Sequence, residues 1–487
     1  MRFSELIRQA CPPGTSVRGE ADISNVQIDS RRCGSGSCFV ALRGTAVDGG
    51  RFIPAAIDAG AAAVVCEDAS AVGQGTPVCV LPDTRRAAGP LAQAVAGWPA
   101  RRLRCVGITG TNGKTTVAHL LTGILREIGQ KPAMLGTISY STGERTLPAR
   151  TTTPDPVSLA EMTAEMVSAG RTHLVMEVSS HALDQHRTAG VEFEVGVFTN
   201  LTGDHLDYHG GMDAYRKAKG LLFRGLGPKA TAVLNRDAPA SEAFAEATEA
   251  SVLWYGLSPA ADLWASIERI DADGTTFSLR RGEDRAEVRT RLIGRHNVYN
   301  ALAAMAAAEA LGVETVRAAE AIASIESVPG RLQRVPSGAP FRVFVDYAHT
   351  DDALANVLGS LRPITGGRIL LVFGCGGDRD RTKRPRMARV AQDMADRLFV
   401  TSDNPRGEKP EAIIEDILAG LDAAARSAAV VAPDRRQAIG LALAAAREQD
   451  VVLIAGKGHE THQVIGSRRT HFDDAEVAGE FLREMGL

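Results

Sequence analysis

One stretch decides the fold: Gly107-Ile108-Thr109-Gly110-Thr111-Asn112-Gly113-Lys114-Thr115-Thr116. It starts inside an apolar run at residues 103–109, typical of a buried strand, and residues 117–128 after it have the pattern of a helix. A glycine-rich turn between strand and helix directs free backbone N–H groups and the positive helix end at a phosphate. The alternative is a structural turn before an ordinary helix. Because strand, turn, lysine and paired threonines occur together, the stretch favours a nucleotide site.

The residue types of this loop suit a nucleoside triphosphate. Glycines let the backbone approach the phosphates, Lys114 can bridge the β- and γ-phosphates, and the Thr115 hydroxyl can bind Mg²⁺. Ile108 departs from the usual pattern, which has glycine there, and this favours a subfamily of nucleotide-binding proteins. A loop of this kind does not choose among a kinase, an NTPase, a transporter subunit and a ligase. The predicted ATP-binding residues of the loop are Gly110, Thr111, Asn112, Gly113, Lys114, Thr115 and Thr116.

The rest of the chain repeats the alternation of strand and helix patterns. Strand-like runs occur at residues 174–176, 195–198, 232–234, 343–345, 369–373, 398–400 and 451–454. This alternation predicts the α/β class, with mostly parallel sheets covered by helices. We expect three domains: a smaller N-terminal α/β domain at residues 1–98, a central P-loop-type domain at 99–330, and a C-terminal Rossmann-like domain at 331–487 without a GxGxxG fingerprint.

Composition argues against several classes of protein. Of the 487 residues, 44% are hydrophobic and 23% charged, as in ordinary soluble domains, and a net charge of −3 does not favour nucleic-acid binding. Seven cysteines without a CxxC pair favour a reducing compartment over a disulfide framework or a zinc site. Neither a signal peptide nor a membrane-spanning run is recognisable. We therefore expect a cytoplasmic monomer that does not insert into membranes.

The phosphate loop is the first of ten ordered motifs that resemble those of the Mur ligases and their relatives, the folylpolyglutamate synthases. The others are at residues 176–183, 199–207, 215–219, 294–300, 329–333, 345–349, 373–380, 403–406 and 455–460. The resemblance extends over essentially the whole chain.

This resemblance implies an ATP-dependent ligase of peptidoglycan precursor synthesis. ATP would phosphorylate the free carboxylate of UDP-N-acetylmuramoyl-L-alanyl-D-glutamate. The amino group of meso-2,6-diaminopimelate would then attack the acyl phosphate, giving the tripeptide, ADP and phosphate. A carboxylate resists attack by an amine, so phosphorylation provides the leaving group. The transition states carry several negative charges, which require cations and oriented donors.

A metal site and a modified lysine are also implied. Thr115 and Glu177 would hold Mg²⁺ at the nucleotide phosphates, and His205 would hold a second metal near the substrate carboxylate. Lys219 would be carbamylated by CO₂ and become an anionic metal ligand, which requires a lysine of lowered pKa. Together with Lys114, the expected catalytic groups are Glu177, His205 and Lys219. Taken alone, Glu177 could be a solvated strand-end charge, His205 a turn contact, and Lys219 a solvated lysine on an amphipathic helix.

Further contacts to ATP follow from the resemblance. His296 would stack on adenine, and Asn297 and Asn300 would read the edge of the base. Arg331 and Asp346 would reach the phosphates and the ribose. A plain helix-capping role for Asn297 remains open.

The sugar-nucleotide peptide would contact the first two domains. The expected contacts are Ile28, Ser30, Thr45, Ala46 and Val47 with the UDP group, and Thr151, Thr152, Thr153, Ser179, Gln185 and Arg187 with the muramoyl peptide. Hydroxyls and a cation suit phosphate and carboxylate groups. At Thr151, threonine stands where some relatives have asparagine.

Amino-acid specificity is expected at residues 403–406. The predicted contacts to diaminopimelate are Arg379, Asp403, Asn404, Pro405, Arg406, Gly456 and Glu460. Arg406 can bind the distal carboxylate of diaminopimelate in bidentate fashion. Lysine lacks that carboxylate, so a pocket with an unpaired arginine would reject it. The alternative is a type I turn with an exposed arginine.

Three rival functions remain to be weighed. A lysine-adding ligase is disfavoured by Arg406, and a folylpolyglutamate synthase by the additional N-terminal block. A regulatory protein that cycles ATP without forming an amide is disfavoured by the joint presence of Glu177, His205, Lys219 and Arg406.

Overall fold

The computed structural model describes residues 1–44 and 47–487, and its architecture confirms the expected α/β class. A five-stranded, an eleven-stranded and a six-stranded sheet follow one another along the chain, and a two-stranded hairpin lies near the C-terminus. Helices pack around these sheets. Within the two described ranges, no helix is long and apolar enough to cross a membrane.

The N-terminal sheet consists of short strands. In chain order the elements are α1 Phe3–Ala10, β1 Val17–Arg18, β2 Asn25–Gln27, β3 Ser37–Val40, α2 Ile53–Asp58, β4 Ala63–Cys66, β5 Val78–Val80 and α3 Thr84–Val95, with 3₁₀ turns at Ser30–Arg32, Gly49–Phe52 and Pro99–Arg102. The strand order is β1-β5-β4-β3-β2, in which β1 is antiparallel to its neighbour and the other pairs are parallel. Helix α3 packs against a central-domain helix at Pro156–Ser168, which fixes this sheet beside the central one.

The central sheet carries the phosphate loop. Its elements are β6 Arg104–Thr109, α4 Lys114–Glu127, β7 Pro132–Leu135, β8 Ser139–Ser141, β9 Thr146–Pro148, α5 Pro156–Ser168, β10 His173–Glu177, α6 Ser180–Asp184, β11 Val195–Phe198, α7 Leu206–His209, α8 Met212–Arg224, β12 Thr231–Asn235, α9 Ser241–Ala247, β13 Ser251–Gly256, β14 Leu263–Asp271, β15 Gly274–Arg281, β16 Asp284–Thr290, α10 Arg295–Ala310 and α11 Thr315–Ser324. The strands expected at 174–176, 195–198 and 232–234 are confirmed as β10, β11 and β12.

Strand β6 lies in the middle of this sheet, between β10 and β11, and all three are parallel. The carboxyl ends of parallel strands meet at one edge, where open α/β sheets bind ligands. The phosphate loop after β6, Glu177 at the end of β10 and the segment after β11 are therefore brought together at that edge.

Both ends of the central sheet are antiparallel. Strands β8 and β9 extend one end, and β14, β15 and β16 form a meander at the other. The sequence analysis did not identify these strands, because they are half exposed and lack the continuous apolar runs of the buried ones. The alanine-rich helix α10 packs between this end and α4. Its small side chains allow close contact with the helix that follows the phosphate loop.

The C-terminal sheet has the expected parallel core. Its elements are β17 Gln333–Arg334, β18 Arg342–Asp346, α12 Asp351–Leu361, β19 Ile369–Phe373, α13 Lys383–Met394, β20 Arg397–Val400, α14 Pro410–Leu418, α15 Ala423–Ala428, β21 Val430–Val431, α16 Arg435–Ala445, β22 Val451–Ala455, β23 His462–Ile465, β24 Arg468–His471 and α17 Asp474–Glu484, with a 3₁₀ turn at Arg362–Ile364. The order is β17-β18-β22-β19-β20-β21, with β17 antiparallel and the rest parallel. The four expected strands are confirmed as β18, β19, β20 and β22.

Candidate active site

The phosphate loop is a tight backbone turn that only small residues can form. Gly113 has a φ of +88°, and a Cβ placed on it would lie 2.4 Å from Oδ1 of Asn300 on α10. A Cβ on Gly110 would come within 1.8 Å of Oγ1 of Thr199. The Lys114 ammonium folds back over the loop and donates to the carbonyls of Gly110 and Thr111, each at 2.8 Å. Burial lowers the pKa of Lys114.

Glu177 is held in a cradle of donors at the end of β10. Only 1% of the residue is exposed. The Thr115 hydroxyl donates to Oε2 at 3.0 Å, the Thr137 hydroxyl donates to Oε2 at 3.0 Å, and the Thr137 N–H donates to Oε1 at 2.8 Å. A Cβ on Gly136 would lie 2.3 Å from Oε1, so the approach requires glycine. Glu177 is therefore not a solvated charge. A buried carboxylate beside a hydroxyl is a donor set that fits Mg²⁺.

Thr137 is a residue that the sequence analysis missed. Besides its bonds to Glu177, its hydroxyl lies 3.2 Å from that of Thr152, an expected contact of the muramoyl peptide. Thr137 thus touches both the proposed metal ligand and the substrate side. Its position directly after β7, at the same edge as the phosphate loop, was the signal that could have identified it.

Lys219 is buried rather than solvated. Its residue is 1% exposed, whereas Lys217 on the same helix is exposed. The Lys219 ammonium donates to the carbonyl of Gly110 at 2.8 Å and lies 4.4 Å from the ring centre of Tyr215. Burial and the neighbouring Lys114 lower the pKa of Lys219 well below its ordinary value. The alternative of a solvated lysine is therefore wrong, and the amine has the environment that carbamylation requires.

His205 begins α7 with a left-handed backbone, at a φ of +53°. Its ring centre is 4.7 Å from that of His181, and the His181 ring is 5.5 Å from that of His209. Burial, followed by the charges of these two neighbours, lowers the pKa of His181 to about 4. No group of three or more His, Cys, Asp or Glu side chains in residues 1–44 and 47–487 is arranged to hold a metal ion. The role of His205 at a second metal ion stays a prediction.

The residues expected at the adenine base are partly engaged within the protein. A ring nitrogen of His296 lies 3.0 Å from the hydroxyl of Ser360. The Asn297 amide donates to the carbonyl of Ile293 at 2.9 Å, and the Asn300 amide donates to Oδ1 of Asn297 at 3.0 Å. The Asn297 bond fastens the start of α10, which agrees with the structural role left open by the sequence.

The C-terminal domain reaches the phosphate loop directly. Nη2 of Arg331 donates to Oγ1 of Thr115 at 3.0 Å. The Asn112 amide donates to Oδ2 of Asp352, at the start of α12, at 2.7 Å. Asp346 is 6% exposed and accepts N–H groups of Leu332 and Ala348 at 2.7 and 2.8 Å. The site therefore lies at the junction of the central and C-terminal domains.

The residues expected at the muramoyl peptide are linked to one another. The Thr153 hydroxyl donates to the Glu177 carbonyl at 2.9 Å and accepts the Ser179 N–H at 3.1 Å. The Arg187 guanidinium donates to the Thr153 carbonyl at 3.2 Å and to Oε1 of Gln185 at 2.7 Å. The Thr151 hydroxyl donates to the Thr153 carbonyl at 2.8 Å. These residues form one hydrogen-bonded network beside the end of β10, in which Thr153 is fully buried.

The residues expected at the UDP group lie in the N-terminal domain. Ser30 begins a 3₁₀ turn, Ile28 is half-buried, and Val47 is exposed. In the described ranges no hydrogen bond joins these three to the peptide-binding residues. Thr45 and Ala46 lie outside the described residues.

The expected amino-acid contacts lie near one another on loops of the C-terminal domain, and we call this group of residues the amino-acid pocket. A Cβ on Gly376 would lie 2.8 Å from Nη1 of Arg406 and 3.9 Å from Cγ of Arg379, so both arginines flank this glycine. The Asn404 amide donates to Oε2 of Glu460 at 2.7 Å. A Cβ on Gly456 would lie 2.7 Å from Oδ2 of Asp403. The carbonyl of Pro405 lies against Gly377 at the same place.

Two buried arginines that the sequence analysis missed support this pocket. Arg384 on α13 is fully buried and pairs with Glu408 and Asp416 at 2.7 and 2.8 Å. Arg435 on α16 pairs with Asp474 at 2.7 Å, and it also donates to the carbonyls of Ser402 and Ala455, which precede Asp403 and Gly456. The sequence offered no signal for either, because arginines on helices are ordinarily solvated.

Comparison with known proteins identifies the family of the chain. Three family models match the chain: "Mur ligase family, catalytic domain" at residues 22–95, "Mur ligase middle domain" at 108–308, and "Mur ligase, glutamate ligase domain" at 330–458. A Geobacillus kaustophilus protein named UDP-N-acetylmuramoyl-L-alanyl-D-glutamate–2,6-diaminopimelate ligase is 46% identical over 475 residues, 96% of each chain.

Solved structures of Mur ligases superpose on nearly the whole chain. A structure of a UDP-N-acetylmuramoyl-L-alanyl-D-glutamate–2,6-diaminopimelate ligase superposes with a TM-score of 0.69 at 33% identity, over 96% of both chains. MurF ligase from Thermotoga maritima in complex with ADP superposes with a TM-score of 0.63 at 18% identity, over 95% of this chain and 98% of that one. The second likeness concerns the fold alone.

Proposed function

The chain belongs to the Mur ligase family, and from this membership we propose that it joins meso-2,6-diaminopimelate to UDP-N-acetylmuramoyl-L-alanyl-D-glutamate at the expense of ATP. The observation that carries the proposal is the position of Arg379 and Arg406 beside Gly376, in the same group of expected contacts as Glu460. Guanidinium groups suit a carboxylate of diaminopimelate, and a carboxylate suits one of its ammonium groups. The name of the relative that matches nearly the whole chain supports the same substrates.

The first step is transfer of a phosphoryl group. An oxygen of the free D-glutamate carboxylate attacks the γ-phosphorus of ATP, the bond to the β-phosphate oxygen breaks, and ADP leaves. Lys114 and the N–H groups of the loop are placed to offset the charge that develops on the phosphates. Arg331 adds a second cation from the C-terminal domain, beside Thr115.

The second step is formation of the amide. The amine of diaminopimelate attacks the carbonyl carbon of the acyl phosphate, and the tetrahedral intermediate expels inorganic phosphate while the nitrogen loses a proton. The amino-acid pocket lies in the C-terminal domain and the carboxylate to be activated in the central one. Contacts such as Asn112 with Asp352 and Arg331 with Thr115 therefore bring the nucleophile and the acyl phosphate together.

Mg²⁺ fits the residues at the end of β10. Thr115 and Glu177 would hold it, and when bound it would neutralise charge on the nucleotide phosphates. Lys219 can be carbamylated there: its neutral amine attacks the carbon of CO₂ and loses one proton, which leaves an anionic carboxylate beside Gly110. Burial and the charge of Lys114 favour the neutral amine by lowering the pKa of Lys219. His205 is the expected additional metal ligand.

The three units divide the substrates among them. We assign the UDP group to residues 1–98, ATP to residues 99–330, with Arg331 and Asp346 contributing from the third unit, and diaminopimelate to residues 331–487. The muramoyl peptide then extends from the first unit to the hydrogen-bonded network of Thr153, Ser179 and Arg187.

The acyl phosphate can be tested by trapping. The protein is incubated with ATP, Mg²⁺ and UDP-N-acetylmuramoyl-L-alanyl-D-glutamate in the presence of hydroxylamine and without an amino acid. We expect a hydroxamate at the free D-glutamate carboxylate in amounts matching the ADP formed. ADP formation with an unmodified dipeptide would contradict the proposed intermediate.

A further inference from the structure

A fully buried lysine lies behind the amino-acid pocket. Lys457 follows β22, and its residue is 0% exposed. Its ammonium donates to the His462 carbonyl at 2.5 Å and to Oε2 of Glu460 at 3.2 Å, and it lies 3.5 Å from Oδ1 of Asn404. Removing a lysine from water is costly unless the charge is paired and hydrogen-bonded, so a lysine in this position requires a specific explanation.

Lys457 contacts three separate segments. Asn404 belongs to the loop at residues 403–406, Glu460 to the turn after β22, and His462 to the start of the hairpin formed by β23 and β24. The Lys457 side chain bonds to the turn and to the hairpin and lies within 3.5 Å of the loop. It is therefore placed to fix their spacing.

The hairpin in turn holds the loop that carries Arg406. The Gln463 amide donates to the Asp403 carbonyl at 2.7 Å, and the Val464 N–H donates to Oδ1 of Asn404 at 2.9 Å. The Arg406 N–H donates to the Val464 carbonyl at 3.0 Å, and the Arg406 carbonyl accepts from Gly466 at 2.7 Å. Arg406 has a φ of +52°, which is unfavourable for this residue type, and these bonds maintain it.

The contacts of Glu460 indicate what this arrangement achieves. Its Oε2 accepts both Asn404 and Lys457, while Oε1 has no hydrogen-bond partner in the described part of the chain. Oε2 is thus held in place by two donors, and Oε1 remains available to bind a substrate. The carboxylate of Glu460 and the guanidinium of Arg406 have the charges that suit the ammonium and the carboxylate at one end of a diamino diacid.

We propose that Lys457 is a positioning residue that sets selectivity for the diamino diacid by holding Glu460 and, through the hairpin, Arg406 at a fixed separation. The proposal rests on the proposed function and adds to it a residue that acts without touching the substrate. A diamino monoacid such as L-lysine cannot use Arg406 and gains little from the fixed spacing. Loss of Lys457 therefore weakens binding of diaminopimelate much more than binding of L-lysine.

The test compares Lys457→Met, which removes the charge at similar volume, with Lys457→Arg, which keeps it. Lys409→Met is the matched control, because Lys409 is exposed and forms no ion pair in the described residues. The full-length protein is assayed for ADP with the KM of each substrate measured separately. We expect Lys457→Met to raise the KM for meso-diaminopimelate by about 10- to 100-fold, as for loss of charged hydrogen bonds, with the KM values for ATP and the dipeptide within about twofold.

The preference for meso-diaminopimelate over L-lysine is a measurement that a general loss of structure would not change. We expect the preference for meso-diaminopimelate over L-lysine, as a ratio of kcat/KM, to fall about tenfold or more in Lys457→Met and to recover in part in Lys457→Arg. The Lys409→Met protein should match the unmodified protein in every constant. An unchanged preference in Lys457→Met, or an equal rise in the KM for ATP, would overturn the proposal.

Two other outcomes are also decisive. If neither Lys457→Met nor Lys457→Arg gives folded protein, judged by thermal unfolding, Lys457 serves the fold and the proposal is wrong. If the unmodified protein forms no tripeptide from meso-diaminopimelate, the proposed function fails first, and this result is distinct from an unchanged KM in the variant.

Discussion

The phosphate site and the amino-acid pocket are built in different ways. At the phosphate loop, position is fixed by the backbone, since Gly110 and Gly113 admit no Cβ and Glu177 is held by Thr115 and Thr137. In the amino-acid pocket, the contact residues lie on loops that pack against glycines and bond to the hairpin, and buried ion pairs give these loops additional support. This comparison indicates that phosphoryl transfer depends mainly on strand ends and small residues, whereas the choice of amino acid also depends on a few charged side chains.

The largest effect is expected at the phosphate loop. Replacing Lys114 with methionine removes a cation placed for the phosphoryl group, so we expect kcat to fall by about 10³-fold, as for other losses of a preorganised donor. The KM for meso-diaminopimelate should change little, because the two sites are built separately. The rate of ADP formation measures both constants. An equal effect on the diaminopimelate KM would contradict the statement that the two sites are built separately.

Arg406→Ala should affect the amino-acid pocket rather than the phosphate site. Loss of a charged hydrogen-bond pair costs about 1.5–3 kcal/mol, so the KM for meso-diaminopimelate should rise by about 10- to 100-fold. Initial rates at varied amino-acid concentration measure this, with the KM for ATP as the internal control. A diaminopimelate KM equal to that of the unmodified protein would remove Arg406 from the pocket.

Thr137→Val tests the role of the Thr137 hydroxyl at the phosphate site. It removes the hydroxyl that donates to Glu177 but keeps the backbone N–H, so the carboxylate loses one of its three donors. We expect about a tenfold rise in the Mg²⁺ concentration needed for half-maximal rate, from the loss of one charge-assisted bond. Thr137→Ser keeps the hydroxyl and should behave almost like the original. Equal behaviour of the valine and serine variants would show that the hydroxyl has no role.

The smallest effect concerns the ion pair between Arg384 and Glu408, which supports the amino-acid pocket. Hydrogen bonds from Arg384 lower the pKa of Glu408 from 4.5 to about 2. A carboxyl group whose pKa is lower in the folded state stabilises the protein fully above its ordinary pKa and loses this contribution as the pH falls toward about 2. Unfolding by urea should therefore become easier between about pH 5 and about pH 3, and Glu408→Gln should show a shallower pH dependence. Parallel pH profiles would contradict this assignment.

The sequence identified the buried strands and the chemistry at their ends, because apolar runs and the glycine-lysine-threonine loop are local signals. It did not identify β14, β15 and β16, whose half-exposed pattern is weak. The resemblance singled out Lys219, but the residues alone could not distinguish it from Lys217, since burial of one of two neighbouring lysines depends on which face of α8 meets the phosphate loop. Arg384 and Arg435 were missed because their acidic partners lie 24 to 39 residues away in the chain. Lys457 was missed because the sequence does not show that it is buried against Glu460, His462 and Asn404.

The direct measurement for the central claim is amino-acid selectivity of the purified protein. ATP, Mg²⁺ and UDP-N-acetylmuramoyl-L-alanyl-D-glutamate are supplied with either meso-diaminopimelate or L-lysine, and the products are identified by mass. We predict one tripeptide per ADP with meso-diaminopimelate and a kcat/KM for L-lysine lower by about 10²-fold or more, since lysine leaves the pocket arginines unpaired. Equal use of both amino acids, or ADP formed without a tripeptide, would contradict it.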